Sequence, residues 1–373
     1  MKTTKMLASL FLVLALLMVL VACGGGSSAP SGGGSSQPSS GSSGSSGNSG
    51  TSGGSSTAPA DDGKVYTLRY ASNDGTTVER HVLFVEVIKN ELEARSNGRL
   101  NVEIYPSGTL ARPGEVIDGL KNGTVDMGLD NATFYTGMYL YTDLICAAGF
   151  NLGSTERLHN TFLEYCDAFA ETEFEEVILL CQSTTGAFGV YTNRAINTVA
   201  DLSGLQCRVT ANYIPFFEKL NISGIMMPSA EVYEGIRLGV IDSNLTNISS
   251  CTAFKLHEVT NYFTGLPMTF GEMVIVMSRQ TYNALPQDLQ AVIDETKAFI
   301  CETWLNYLLT VESTAKTVVA GENPDFKWVD LPASELAKIS ELTIPMLQEK
   351  AAAMDAAGLD GSGAMAWLLA HSV

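Results

Sequence analysis

Arg194 and Arg208 stand fourteen positions apart in the stretch Tyr191–Val209, YTNRAINTVADLSGLQCRV. A guanidinium at the end of a strand points along the strand axis into whatever cleft lies beyond. Its planar fork matches both oxygens of a carboxylate at once. Between the two arginines lie a helix-start signal at Asn197-Thr198, a turn at Ser203-Gly204 and a short β-like run, Leu205–Val209. Arg208 is thereby placed at a strand end. The alternative for either residue is an ordinary surface pairing with Asp or Glu, since arginines are mostly exposed.

Little else has the spacing of a catalytic or metal centre. The four histidines, His81, His159, His257 and His371, form no HExxH pair, and the folded part has no GxSxG elbow or phosphate loop. Cys146, Cys166, Cys181, Cys207, Cys251 and Cys301 are scattered without CxxC or metal-type spacing, and most read as buried free thiols. The expectation is binding without catalysis, with no cofactor and no metal. With 40 acidic against 22 basic side chains, the formal charge of −18 argues against nucleic acid as a partner. It does not forbid an anionic ligand, because a pocket responds to its own local groups.

The elements that must position these residues read as α/β. A strand over Val65–Ala71, an amphipathic helix over Thr77–Ser96 and a strand over Leu100–Tyr105 form a βαβ unit, which implies a parallel sheet. Val78, Val82, Val85, Ile88 and Leu92 are the expected apolar stripe of that helix. Further strands are expected over Val177–Cys181 and Met273–Ser278, and helices over Thr155–Phe169 and Thr252–Val259. An internal echo is informative: Glu115–Leu129, EVIDGLKNGTVDMGL, aligns without a gap to Glu231–Leu245, EVYEGIRLGVIDSNL. Each reads as a short helix, a glycine stop and a strand with a polar tail, so the two are expected to be equivalent pieces of two similar α/β lobes, the alternative being chance similarity of two amphipathic segments. The tails are Asp130-Asn131 in one and Asn244, Thr246 and Asn247 in the other. Strand carboxyl ends are where open α/β sheets bind ligands, so both tails would face one cleft. Residues 286–320 keep a helical period without internal Pro or Gly, enough for a helix of about 50 Å spanning both lobes.

The amino-terminal residues have a different character. Lys2 and Lys5 precede an apolar run, Met6–Val21, and then Ala22-Cys23. Residues 1–23 read as a signal peptide whose small residues before Cys23 resemble a bacterial lipobox, with Cys23 as the lipid-attachment site. Residues 24–63 are almost all Gly and Ser and read as a flexible tether with a reach of roughly 35 Å. The expected location is outside the cytoplasm, lipid-anchored to the cell membrane.

The folded part, Val65–Glu349, resembles the extracytoplasmic solute receptors of TRAP (tripartite ATP-independent periplasmic) transporters, the DctP-like family. The residues that carry this are Tyr105-Pro106-Ser107-Gly108-Thr109-Leu110, Gly123-Thr124-Val125-Asp126-Met127, Asn193-Arg194-Ala195-Ile196-Asn197 and Ala200-Asp201-Leu202-Ser203-Gly204-Leu205 with Arg208-Val209. Glu231-Val232-Tyr233, Gly239-Val240-Ile241-Asp242 and Leu285-Pro286-Gln287-Asp288-Leu289-Gln290 complete the set. The resemblance implies a two-lobed binding protein of the periplasmic-binding-protein type, type II-like, with a long inter-lobe spine helix. Lobe I would take residues 64–186 and 273–311, and lobe II residues 187–272 and 312–373. Arg208 stands where the family clamps a ligand carboxylate, and Arg194 where an arginine is structural. Thr246 replaces a frequent ligand-facing Asn, and Phe188 stands where some members carry a second arginine, which suggests a monocarboxylate with a less polar body. Asn131, Asn244, Tyr213 and Asn73 complete the candidate ligand contacts. The implied partners are a small organic acid and TRAP membrane subunits, with a receptor for an ATP-driven (ABC) importer as the alternative.

Overall fold

The computed structural model describes residues 63–373; the leader, Cys23 and nearly all of the tether lie outside the described residues. In chain order the strands are β1 (Tyr66–Ala71), β2 (Leu100–Tyr105), β3 (Met127–Asp130), β4 (Val177–Thr192), β5 (Gln206–Arg208), β6 (Ser223–Ile225), β7 (Ser243–Asn247), β8 (Tyr262–Ser278) and β9 (Lys327–Asp330). The helices are α1 (Glu86–Arg95), α2 (Val116–Asn122), α3 (Leu140–Ile145), α4 (Thr155–Tyr165), α5 (Ile214–Lys219), α6 (Val232–Arg237), α7 (Ser250–Ala253), α8 (Arg279–Ala284), α9 (Gln287–Glu322), α10 (Ala333–Ala356) and α11 (Gly361–His371).

All nine strands join one sheet in the order β2-β1-β3-β8-β4-β7-β5-β6, with β9 on β8. The antiparallel pair β4 and β8, 16 and 17 residues long, runs through both halves. At one end Val177–Cys181 lies against Ile275–Ser278, beside β3, β1 and β2. At the other, Gly189–Thr192 lies against Tyr262–Gly265, beside β7, β5, β6 and β9. The result is a two-lobed α/β protein whose lobes share two strands. Register shifts between Thr184, Ala187 and Gly189 fall at the crossing, where such irregularities bend a strand.

These strands are longer than the two short runs expected from the sequence. Gly186, Gly189, Gly265 and Gly271 lie within them, and two of these are points of close approach. A Cβ at Gly189 would lie 2.4 Å from the Phe263 ring, and one at Gly271 would lie 2.1 Å from Thr185 Oγ1. The amino-terminal helix also differs. A π-helical turn, His81–Val85, precedes α1 and adds a residue to that turn, which rotates the stripe. Val85, Ile88 and Leu92 stay buried, whereas Val78 and Val82 are 43% and 50% exposed. Similarly, α4 ends at Tyr165 and passes into a second π turn. The helix expected over Thr252–Val259 is broken at Lys255, which adopts φ 52°, between α7 and a 3₁₀ turn.

The echoed segments are equivalent in three dimensions. Tyr70 and Ala71 of β1 pair with Met127 and Gly128, and Cys207 and Arg208 of β5 pair with the aligned Ser243 and Asn244. Gly123 and Gly239 end α2 and α6 at φ 78° and 71°, a conformation that favours glycine. The spine helix α9 is unbroken over 36 residues, about 54 Å. Its Leu289, Ile293, Ile300 and Trp304 pack with β1, β3 and β8, and its Val319 packs with Tyr191, Ile236 and Phe263 of the other lobe. The carboxy-terminal residues do not all belong to lobe II. Ile339 of α10 packs with Phe217 and Leu266, but Leu347 and Ala351, with Met365 and Leu368 of α11, pack on α3 and α4. The six cysteines among the described residues are free, and all but Cys301 are buried.

Candidate ligand cleft

Arg208 closes β5, paired through the ladder with Asn244, which in turn pairs with Tyr191. Its Nε donates to the Met227 carbonyl at 3.0 Å and its Nη2 to Ser229 Oγ at 2.9 Å. Both acceptors are neutral. Three other arginines among the described residues are partly or fully buried, Arg69, Arg80 and Arg99, and each holds a carboxylate: Asp126 at 2.7 Å, Asp74 at 2.6 Å and Asp288. Arg208 has no such partner. Burial therefore lowers its pKa from the usual guanidinium range, as expected for a desolvated cation without a neighbouring negative charge.

Around it on the second lobe, Asn244 is buried, and its Oδ1 has no hydrogen-bond partner. Thr246, one pleat further, donates to Ser250 Oγ at 2.9 Å. Phe188, half-buried on β4 opposite Asn247, lies 6.1 Å from the ring of Tyr213. Tyr213 is fully buried, with its hydroxyl bonded to the carbonyl of Phe270 and accepting the Phe270 N–H at 3.0 Å. It therefore presents a ring to Phe188 and keeps its hydroxyl for the backbone. Arg194 stands apart on the surface. Its Nη2 donates to the Ser203 carbonyl at 2.9 Å, and its backbone is tied to the Thr192 hydroxyl.

On the first lobe, Asn73 follows β1 and carries a buried Oδ1 without a partner. Asn131 follows β3, and its Nδ2 donates to the Glu272 carbonyl. Asp130 is committed internally: it accepts the N–H of Gly114 at 2.8 Å and of Val116 at 3.0 Å, and the Tyr135 hydroxyl at 2.8 Å. A surface cavity of about 390 Å³ adjoins Ser229, lined also by Tyr233, Phe254, Lys255 and Glu258, and contains none of the candidate residues.

Sequence reasoning missed Glu272. It is the one charged residue in the strand-forming run Thr269–Ser278, which was the available signal. Its Oε1 accepts the Thr133 N–H at 2.9 Å and the Thr133 hydroxyl at 3.0 Å, and its buried Oε2 has no partner. Burial pushes its pKa up to about 8 against the opposing Thr133 bonds. Ser229 and Met227, which hold Arg208, were also missed, because nothing in the local sequence places them beside β5.

Two α/β lobes joined by shared strands, spanned by one helix, with an uncompensated guanidinium at a strand carboxyl end, define a solute-binding receptor. Residues 74–353 match the DctP family, described as bacterial extracellular solute-binding protein, family 7, and the chain belongs to that family, the extracytoplasmic receptors of TRAP transporters. These are receptors and not enzymes. The 2,3-diketo-L-gulonate-binding periplasmic protein YiaO of Escherichia coli is 25% identical over 232 residues, 61% of this chain and 70% of that protein. A TRAP periplasmic solute binding protein from Desulfovibrio salexigens, crystallised as an open complex, has the same fold. It has a TM-score of 0.75 and 19% identity, over 82% of this chain and 95% of that one. A marine-metagenome TRAP solute binding protein specific for aromatic acid ligands, solved with 3-hydroxybenzoate, matches with a TM-score of 0.71 and 22% identity. That match covers 83% of this chain and 98% of the other.

Proposed function

We propose that the protein binds a small organic carboxylate between its lobes through Arg208 and delivers it to TRAP membrane subunits. The observation that carries this reading is a partly buried guanidinium held, among the described residues, only by the neutral Met227 carbonyl and Ser229 hydroxyl. Membership of the DctP family favours TRAP subunits over an ABC importer as the acceptor. Asn244 and Thr246 on lobe II, and Asn73 and Asn131 on lobe I, would contact the rest of the ligand, with Phe188 and the ring of Tyr213 as its apolar wall. The lobe boundary is proposed to fall at the crossing of β4 and β8, near residues 186 and 273. A ring-bearing monocarboxylate suits Phe188, and the similar metagenome protein is one specific for aromatic acids. Cys23 would carry the lipid anchor, and residues 24–63 the tether.

Closure brings the ligand carboxylate to Arg208 in a drier cleft, where removing one partner of a charge pair costs about 3–5 kcal/mol. Titration calorimetry of Arg208→Ala should show affinity reduced by about two to three powers of ten or more, by the rule of 1.4 kcal/mol per tenfold. Arg208→Lys should recover little of it, lacking the fork. Equal affinities in wild type and Arg208→Ala would remove Arg208 from the site.

A further inference from the structure

We propose that Glu272 is the residue that selects the ligand's body, an uncharged acid donating its hydrogen bond to an oxygen substituent on the carboxylate ligand. This rests on the carboxylate-binding reading and extends it from one anchor to two. Glu272 sits where the two lobes meet. Its backbone carbonyl holds Asn131 and its Oε1 holds Thr133, both in the segment that follows β3 of the first lobe. From the second lobe, Tyr213, which follows β5, bonds through its hydroxyl to the backbone of Phe270, two residues before Glu272 on β8. Next to it, the space a Cβ would fill at Gly271 is occupied by Thr185 and by the Phe188 ring at 3.2 Å. Phe188 thus meets β8 one residue from Glu272, on the opposite face of the strand, since successive side chains alternate.

The chemistry follows from the two oxygens. Glu272 is 2% exposed and no cation pairs with it among the described residues, so an ionised form would be a buried, uncompensated charge. Oε1 already accepts two donors from Thr133. The proton of the neutral acid is therefore on Oε2, the atom left without a partner. A buried O–H with no acceptor costs folding free energy and is filled when a ligand supplies an acceptor oxygen. The class is a hydroxy- or oxo-substituted monocarboxylate: Arg208 takes the carboxylate and Glu272 the second oxygen. The unsubstituted analogue leaves Oε2 unfilled and binds more weakly, as any site built to hydrogen-bond a substituent rejects the molecule lacking it.

Ionisation of Glu272 would remove its donor and place a negative charge beside an anionic ligand, so affinity should fall as pH rises through about 8. The titratable groups facing it are Asp130 at the end of β3, Asp143 of α3, Cys146 just beyond α3, and Tyr213. Burial pushes the Cys146 thiol and the Tyr213 phenol well up, and both stay protonated through that range. Glu272→Gln keeps a donor at the Oε2 position and cannot ionise, which isolates Glu272 from its neighbours.

The test is calorimetry on the soluble folded chain with matched probes: 3-hydroxybenzoate against benzoate, mandelate against phenylacetate, and phenylpyruvate against 3-phenylpropionate. At pH 7 the wild type should prefer the oxygenated member of at least one pair by about tenfold or more. Its affinity should then weaken by nearly tenfold per pH unit above the Glu272 pKa. Glu272→Gln should keep the pH 7 preference and lose the pH dependence, and Glu272→Leu should bring the preference to within about twofold. No preference in wild type, or the same pH fall in Glu272→Gln, would overturn the role of Glu272. Arg208→Ala run alongside separates the two readings. If it loses affinity while the Glu272 variants change nothing, only this inference fails. If neither it nor they alter binding, or no acid binds, the carboxylate site itself is lost.

Discussion

The two lobes carry the same strand–helix–strand unit, and they differ at the point where the second is proposed to meet a ligand. In the first, Arg69 on β1 exchanges backbone hydrogen bonds with Asp126: its N–H donates to Asp126 Oδ2 at 2.9 Å, and its carbonyl accepts the Asp126 N–H at 3.1 Å. In the second, Gln206 on β5 does the same with the aligned Asp242, at 2.9 and 3.1 Å. Two residues further along, the first lobe has Ala71, buried against Gly128, and the second has Arg208 against Asn244. In the first lobe the guanidinium is on the residue that meets the aspartate, and Arg69 spends its side chain on Asp126 at 2.7 Å. In the second the guanidinium has moved to the strand end, out of reach of the equivalent acid. One scaffold thus yields a closed ion pair in one place and an open one in the other, and the open one is available to bind.

The comparison can be broken by exchanging stability for affinity. The largest effect is expected for Arg208→Ala: a loss of about two to three powers of ten in affinity, with unfolding midpoints near wild type, since its two neutral acceptors are replaceable by water. Next is Gly119→Ala. A Cβ there would lie 2.7 Å from the Val125 side chain, where α2 crosses onto β3, whereas at the equivalent Gly235 the nearest atom is 3.2 Å away. Urea unfolding should show Gly119→Ala destabilised by about 1–3 kcal/mol and Gly235→Ala by under about 1, helped by the better helix propensity of Ala. Arg69→Ala should be the converse of Arg208→Ala, costing about 1 kcal/mol of stability because the guanidinium is partly exposed, with affinity within about twofold of wild type.

The smallest effect is a matter of pH. Burial works against the Asp126 charge, but hydrogen bonds from Arg69 and Thr281 prevail and hold its carboxyl below the usual range. A depressed folded pKa stabilises above the unfolded value and is lost as pH falls through the folded one. The stability gap between wild type and Asp126→Asn should accordingly be full at pH 6 and narrow towards pH 3, as followed by denaturant titration.

Much of this was legible in the residues. The echo predicted the equivalence of the lobes, because helix, glycine stop and strand leave a pattern within fifteen positions. The uninterrupted period of residues 286–320 predicted the spine helix for the same local reason. What escaped was non-local. Nothing in the sequence around Val78 signals the π turn that exposes it, since that register is set by how Val85, Ile88 and Leu92 meet the core. The full length of β4 and β8 escaped because the role of their glycines, admitting Phe263 and Phe188 at close range, depends on another strand. Arg208 was identifiable as a candidate, but its lack of an acid partner was not, because partners are fixed only once β5, β6 and the segment carrying Ser229 are assembled. Glu272 was visible as one acid in an apolar run; that it lies between the segments following β3 and β5 required the fold.

A crystal structure of the protein closed on a bound carboxylic acid tests the central claim most directly. The ligand carboxylate should lie within hydrogen-bonding distance of two Arg208 nitrogens, between the carboxyl ends of β3 and β5. An acid bound elsewhere, with Arg208 still held only by Met227 and Ser229, would contradict it.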